Sequence, residues 1–79
     1  MQLENWNHAQ GKRLAFIDFS LEFFGQIARA DLIQKFGNGL ASCTRDLALY
    51  KELAPDNAVL MHENKRYVRS GAFRAIFEH

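Results

Sequence analysis

A chain of 79 residues is one small domain, close to the lower limit for folding without staples. Its single cysteine, Cys43, excludes an internal disulfide and cannot by itself build a structural zinc site. No apolar run approaches the roughly 20 residues of a membrane span, and Met1-Gln2-Leu3-Glu4 lacks the basic start of a signal peptide, so a cytoplasmic protein with no membrane partner is expected.

Met1 to Gly11 is polar and reads as loosely structured, apart from Trp6, which needs a surface to cover it. The spacing from Lys12 to Phe24 predicts a first helix, residues 12–24, with two apolar stripes. Leu14, Ile17, Leu21 and Phe24 form one stripe. Phe16, Phe19 and Phe23 form the other, with Asp18 and Glu22 as a solvated flank between them. Two apolar faces need two covers. Either Trp6, Phe73 and Phe77 fold back over the second stripe, or at least part of it meets a second copy or a neighbouring domain.

Gly25 ends that helix, and Gln26-Ile27-Ala28 reads as a short extended piece able to pair with a later hairpin. A second helix, 29–36, buries Leu32, Ile33 and Phe36. Gly37-Asn38-Gly39 permits positive φ and a sharp turn. A third helix, 40–54, turns Leu40, Cys43, Leu47, Tyr50 and Ala54 inward and Ala41, Ser42, Arg45, Ala48, Leu49 and Glu52 outward, and Pro55 stops it. Two short strands, Val59 to Met61 and Tyr67 to Arg69, flank a basic-tipped turn in which Asn64 is the tight-turn residue; together they make a hairpin over 59–69. The extension 70–79 carries Phe73, Ile76 and Phe77 at roughly helical spacing.

Two short helices across a glycine turn, the second slim and polar outside, have the layout of a helix-turn-helix. A basic hairpin directly after the second helix is a wing. The expected fold is therefore mainly α with a small β-hairpin, a single winged helix-turn-helix domain over 1–79. Charge agrees in its distribution rather than its total. The net charge is only +1, yet between Gln26 and Arg74 eight bases face five acids, which puts the basic excess in the reading unit.

Arg45 is the leading candidate contact. On the outward face it can fork onto guanine O6 and N7; the alternatives are a phosphate contact or a surface ion pair with Asp46 or Glu52. Ser42 and Thr44 either donate to DNA or cap the helix start. Ala41 and Ala48 let the helix approach a groove, or simply favour helix. Lys65 and Arg66 at the hairpin tip can touch phosphate or the minor groove, or are an ordinary charged turn. Arg29 and Lys35 can grip backbone phosphates or sit on a solvated face. Cys43 reads as a small buried hydrophobe. His8, His62 and His79 are not at metal-ligand intervals, and no catalytic constellation stands out, so no enzyme activity, metal or cofactor is expected.

Several of these runs resemble a known family. Arg13-Leu14-Ala15-Phe16-Ile17-Asp18, Phe24-Gly25-Gln26-Ile27-Ala28-Arg29-Ala30-Asp31-Leu32 and Lys35-Phe36-Gly37 are similar to the N-terminal winged helix-turn-helix of WYL-domain transcriptional regulators. The nearest likeness is to repressors of phage-defence operons of the BREX and CBASS kind. Ala41-Ser42-Cys43-Thr44-Arg45-Asp46-Leu47, Tyr50, Leu53-Ala54-Pro55 and Asn57 resemble the family's recognition helix and exit, and Thr44-Arg45-Asp46-Leu47 also resembles DeoR-type helix-turn-helix proteins. The resemblance implies a dimeric repressor on an inverted-repeat operator. It places Ser42, Thr44 and Arg45 on DNA and Lys65 and Arg66 on the wing. It also implies a WYL ligand-sensing domain and a C-terminal dimerisation domain beyond this segment, so the chain is expected to be an excised or a stand-alone domain, with Glu78-His79 native or tag-derived. The competing expectation is a winged-helix protein-interaction module using Phe16, Phe19 and Phe23.

Overall fold

The computed structural model describes residues 7–63 and 65–79. Trp6, expected to cover an apolar face, and Asn64, expected at the hairpin turn, lie outside the described residues. Six elements follow in chain order: α1 His8–Phe24, β1 Gln26–Ile27, α2 Arg29–Phe36, α3 Leu40–Leu53, β2 Ala58–Met61 and β3 Arg66–Arg69.

The first helix begins four residues earlier than its apolar spacing predicts. Asn7 caps it, its side chain accepting from the Gln10 backbone N–H at 2.8 Å, so His8 to Gly11 are helical rather than loose. A polar stretch carries no periodicity, and here the cap sets the start. Gly25 ends α1 with φ 79°, a left-handed conformation that costs a residue without Cβ little. The α2 start has no capping side chain at Ala28; instead Asp31 reaches back to accept from the Ala28 N–H at 2.9 Å. The tail of α3 runs to Leu53, with Ala54 in an extended φ of −140° before Pro55, as expected for a residue preceding proline.

The sheet has the order β1-β3-β2, antiparallel throughout. Gln26 pairs with Val68 and Ile27 with Tyr67, so the short extended piece after α1 does join the hairpin. Both hairpin strands start one residue earlier than expected, with Ala58 opposite Arg69 and Met61 opposite Arg66.

Leu14, Ile17, Leu21, Ile27, Leu32, Cys43, Leu47 and Tyr50 form the core with Ala54 and Ala58. Each large aliphatic here contributes roughly 1.5–3 kcal/mol relative to exposure. Three expected core residues are outside it: Phe24 is 67% exposed, Leu40 54% and Ile33 38%. Phe24 closes α1 at the edge of its stripe. Leu40 is the first residue of α3, and core burial starts a turn later at Cys43. Leu49, expected outward, is partly buried against the core.

Asp18 reverses its expected setting. It is fully buried, because four donors converge on its carboxylate. Tyr50 Oη donates at 2.5 Å, the Ile76 and Phe77 backbone N–H groups at 3.1 Å, and His79 Nε2 lies at 2.9 Å. A buried carboxylate is tolerated when its lone pairs are filled in this way. Asn57, also buried, continues the network: its amide donates to Tyr50 Oη at 3.0 Å and the Arg74 carbonyl at 2.7 Å, and its carbonyl accepts from the Arg74 N–H at 2.9 Å. These bonds explain why residues 70–79 form no helix despite their spacing. The N–H groups of Arg74, Ile76 and Phe77 go to side-chain acceptors on α1 and before β2, in place of carbonyls four residues back.

Candidate nucleic-acid interface

Ala41, Thr44, Arg45, Ala48 and Glu52 are all exposed, and at 100° per residue they make one stripe along α3. The opposite side is held down at two levels. Lower on the helix, Tyr50 meets Asp18 of α1. Nearer its start Asp46, 1% exposed, meets α1 through Arg13 Nε at 2.5 Å and Gln10 Nε2 at 3.2 Å. The Asp46 carboxylate is therefore committed to Arg13. Arg45 makes no hydrogen bond or ion pair among the described residues, so the expected alternative of a surface pair with Asp46 or Glu52 does not form. An exposed, unpaired guanidinium near the start of a slim helix is what base-edge or phosphate recognition requires.

Neither Ser42 nor Thr44 caps the helix. Gly39 is the N-cap and offers no side chain. Ser42 Oγ is half-buried and accepts from Asn38 Nδ2 at 3.1 Å. Thr44 Oγ1 donates to the Leu40 carbonyl at 3.0 Å and accepts from Arg29 Nη1 at 3.4 Å. That second bond brings Arg29, at the start of α2, over the recognition face.

The expected cations separate into two groups. Arg29 and Lys65 line one groove of about 280 Å³ between α3 and the hairpin, together with Thr44, His62 and Tyr67. Leu47 and Leu60 form its apolar floor. Lys65 enters it from a left-handed backbone, φ 57°, uncommon for a residue with a Cβ. Lys35 and Arg66 line a separate groove of about 530 Å³ with Phe16, Phe24 and Asp31. There Arg66 Nη1 lies 3.7 Å from Asp31 Oδ2, and Lys35 Nζ sits 5.7 Å from the centre of the Phe16 ring. His62 was not among the expected contacts; its place in the turn two residues after Leu60 is the signal for it, since strand alternation carries it to the same side.

The second phenylalanine stripe is also split. Phe16 packs edge-on against Phe36 of α2, ring centres 5.6 Å apart. Phe19 is half-buried against Phe23, Phe24 and His79 at 4.8, 5.7 and 5.5 Å. Phe23 is 57% exposed, so with Phe24 it forms the uncovered apolar end of α1. Cys43 is fully buried, and burial, with the Asp46 carboxylate second, pushes its thiol above the usual range. Among the described residues no helix is long and apolar enough to cross a membrane.

A three-helix unit with an exposed third helix, followed by a hairpin that stands beside it, defines a winged helix-turn-helix domain. Residues 9–79 match the BrxR transcriptional regulator winged helix-turn-helix domain, and the chain belongs to that family. It is similar to the DNA-binding transcriptional repressor CapW of Stenotrophomonas maltophilia, 39% identical over 67 residues, which are 85% of this chain and 22% of that protein. The repressor of the same name from Escherichia coli (strain KTE188) is 35% identical over 68 residues, 86% of this chain and 23% of the relative. That from Pseudomonas aeruginosa is 34% identical over the same shares. The chain thus spans less than a quarter of the length of these relatives.

Proposed function

We propose that this domain binds double-stranded DNA as the sequence-reading part of a transcriptional repressor of a defence-associated operon, acting as a dimer on an inverted repeat. The observation that carries the reading is the exposed stripe Ala41-Thr44-Arg45-Ala48, with Arg45 in no ion pair among the described residues and Asp46 taken by Arg13. In this reading α3 enters the major groove, small Ala41 and Ala48 let it sit close, and Arg45 reads a base edge with Ser42 and Thr44 beside it. Arg29 and Lys65 hold the flanking backbone. Lys35 and Arg66, gathered around the other groove, contribute to the general basic field rather than to the reading face. The names of the similar repressors support DNA as the partner. The uncovered Phe23 and Phe24 support a second copy or a following domain on the end of α1.

The test is fluorescence anisotropy with a duplex from the gene's own upstream region against a scrambled duplex. A preference that survives added salt is the expected result; equal, salt-sensitive binding to both leaves only a backbone grip. Light scattering that finds a monomer at high concentration counts against the dimer.

A further inference from the structure

Two grooves lie end to end along α1. The first, about 410 Å³, has Phe16 and Phe19 of α1 and Phe36 of α2 as its apolar floor. The second, about 530 Å³, continues from Phe16 to Phe24 and the Asp31–Arg66 pair. They meet at Phe16 and Lys35, which line both. Either volume alone falls in the range for a small organic ligand, about 300–1,000 Å³, but a compact molecule in one leaves the other empty. From Lys12 to Phe24 the α1 axis rises about 18 Å, the length of about three turns of a second helix laid alongside.

The charge sits on the rim. Lys12, Lys35 and Arg66 line the two grooves, and Asp31 is the only acid among the described lining residues. Its carboxylate already accepts from the Ala28 N–H at 2.9 Å and lies 3.7 Å from Arg66. Lys35 is held over the floor, its Nζ 5.7 Å from the centre of the Phe16 ring. An apolar floor under a basic rim is complementary to a helix with an apolar stripe and acidic flanks. A second copy does not supply one. Among the described helices, α1 has Glu22 besides the buried Asp18, α2 has Asp31, and α3 has Glu52 besides the buried Asp46. No helix of this chain therefore sets two exposed acids beside an apolar stripe.

The reading face stays clear of this surface. Asp31 and Lys35 lie about 200° and 240° round α2 from Arg29, and Arg29 is the residue that leans over the recognition face to Thr44. We infer that the α1–α2 groove docks an acidic amphipathic helix of a partner protein, about three turns long, while α3 remains open to DNA. The docking adds a protein partner to the proposed function and does not depend on it. Phe23, at the uncovered end of α1, lines neither groove and is left for the contact already assigned there.

The experiment measures anisotropy of a labelled, side-chain-stapled helical peptide of about twelve residues, with leucines at i, i+3, i+4 and i+7 and glutamates on both flanks. A control peptide carries lysines in place of the glutamates. Each is titrated with the whole chain and with the double variant Lys12→Glu, Lys35→Glu, whose sites are exposed and whose fold is checked by circular dichroism. The wild type is expected to bind the glutamate peptide and not the lysine peptide. The double variant should bind the glutamate peptide at least about tenfold more weakly and gain affinity for the lysine peptide. Unlabelled upstream duplex added to the complex should leave the peptide bound. A glutamate peptide that fails to bind, or binds both proteins equally, overturns the inference. Displacement by the duplex puts the peptide on the reading face and also overturns it. So does light scattering that finds a dimer which the double variant abolishes, because a second copy is then the occupant. A wild type that holds the peptide as expected but binds no duplex upholds the docking site and counts against the DNA reading alone.

Discussion

Replacing Asp18 by alanine removes the acceptor on which α1, α3 and the C-terminal segment converge. Tyr50 Oη, on a residue only 2% exposed, loses its 2.5 Å acceptor and keeps, among the described residues, the Asn57 amide, which is a donor. A buried hydroxyl left without an acceptor costs about 1–3 kcal/mol. The Ile76 and Phe77 N–H groups can recover water only if the segment lifts, and lifting exposes the Ile76 and Phe77 side chains packed on the core. Together these losses amount to about 3–5 kcal/mol, the range for breaking a buried charged contact. A domain of 79 residues has roughly 4–12 kcal/mol in total, so much of its stability depends on this carboxylate. At about 4–8 °C per kcal/mol, thermal melting followed by circular dichroism should fall by at least about 12 °C. Glu22→Ala, one turn along and partly exposed, is the control and should stay within about 0.5 kcal/mol. An Asp18→Ala melting point within about 4 °C of wild type would show that the convergence adds little, and would refute the reasoning.

Asp46→Ala should cost about 3 kcal/mol in a urea melt, because it leaves the half-buried Arg13 unpaired. Adding Arg13→Ala to that variant should then cost less than about 1 kcal/mol, and full additivity of the two changes would contradict the pairing. Burial, reinforced by the hydrogen bond to Asp18, raises the Tyr50 phenol above its ordinary value. With the folded value raised, its contribution is complete below about pH 10, where the unfolded phenol titrates, and is lost as pH climbs beyond that. Tyr50→Phe should flatten the alkaline fall in stability while lowering stability at neutral pH by about 1 kcal/mol. The Cys43 thiol, buried and raised, should react with a thiol reagent only as fast as the domain opens, with prompt labelling in denaturant.

The helix-turn-helix was legible because its signals are local. Glycines at 25, 37 and 39 and Pro55 punctuate the chain, and apolar residues return at helical intervals between them. The wing followed from two short β-rich runs, and even the pairing of Gln26-Ile27 was readable as an extended piece after Gly25. What escaped was the polar wiring. Charge alone places Asp18 in solvent, although it lies four residues after Leu14 and three before Leu21 and so falls within the buried stripe. Its donors sit between 32 and 61 residues away, a separation that no periodicity records. Asp46 follows Arg45 in sequence and is one of the two alternatives, with Glu52, for a surface ion pair to it; its partner is Arg13, 33 residues earlier. That pairing bears on the site, since it occupies Asp46 while Arg45 makes no ion pair among the described residues. The split of the cations into two grooves was hidden for a related reason. Consecutive Lys65 and Arg66 look like one basic tip, but the positive φ of Lys65 and the strand position of Arg66 send them to different sides.

The central claim is that α3 reads DNA through Arg45, and the most direct test is the affinity of Arg45→Ala for the upstream and scrambled duplexes at one fixed salt concentration. Among the described residues Arg45 makes no hydrogen bond or ion pair and is exposed, so the substitution should leave the melting point unchanged. The account predicts a loss of about 1–3 kcal/mol on the upstream duplex, with a much smaller loss on the scrambled one. Equal affinity of Arg45→Ala and wild type for the upstream duplex would contradict it.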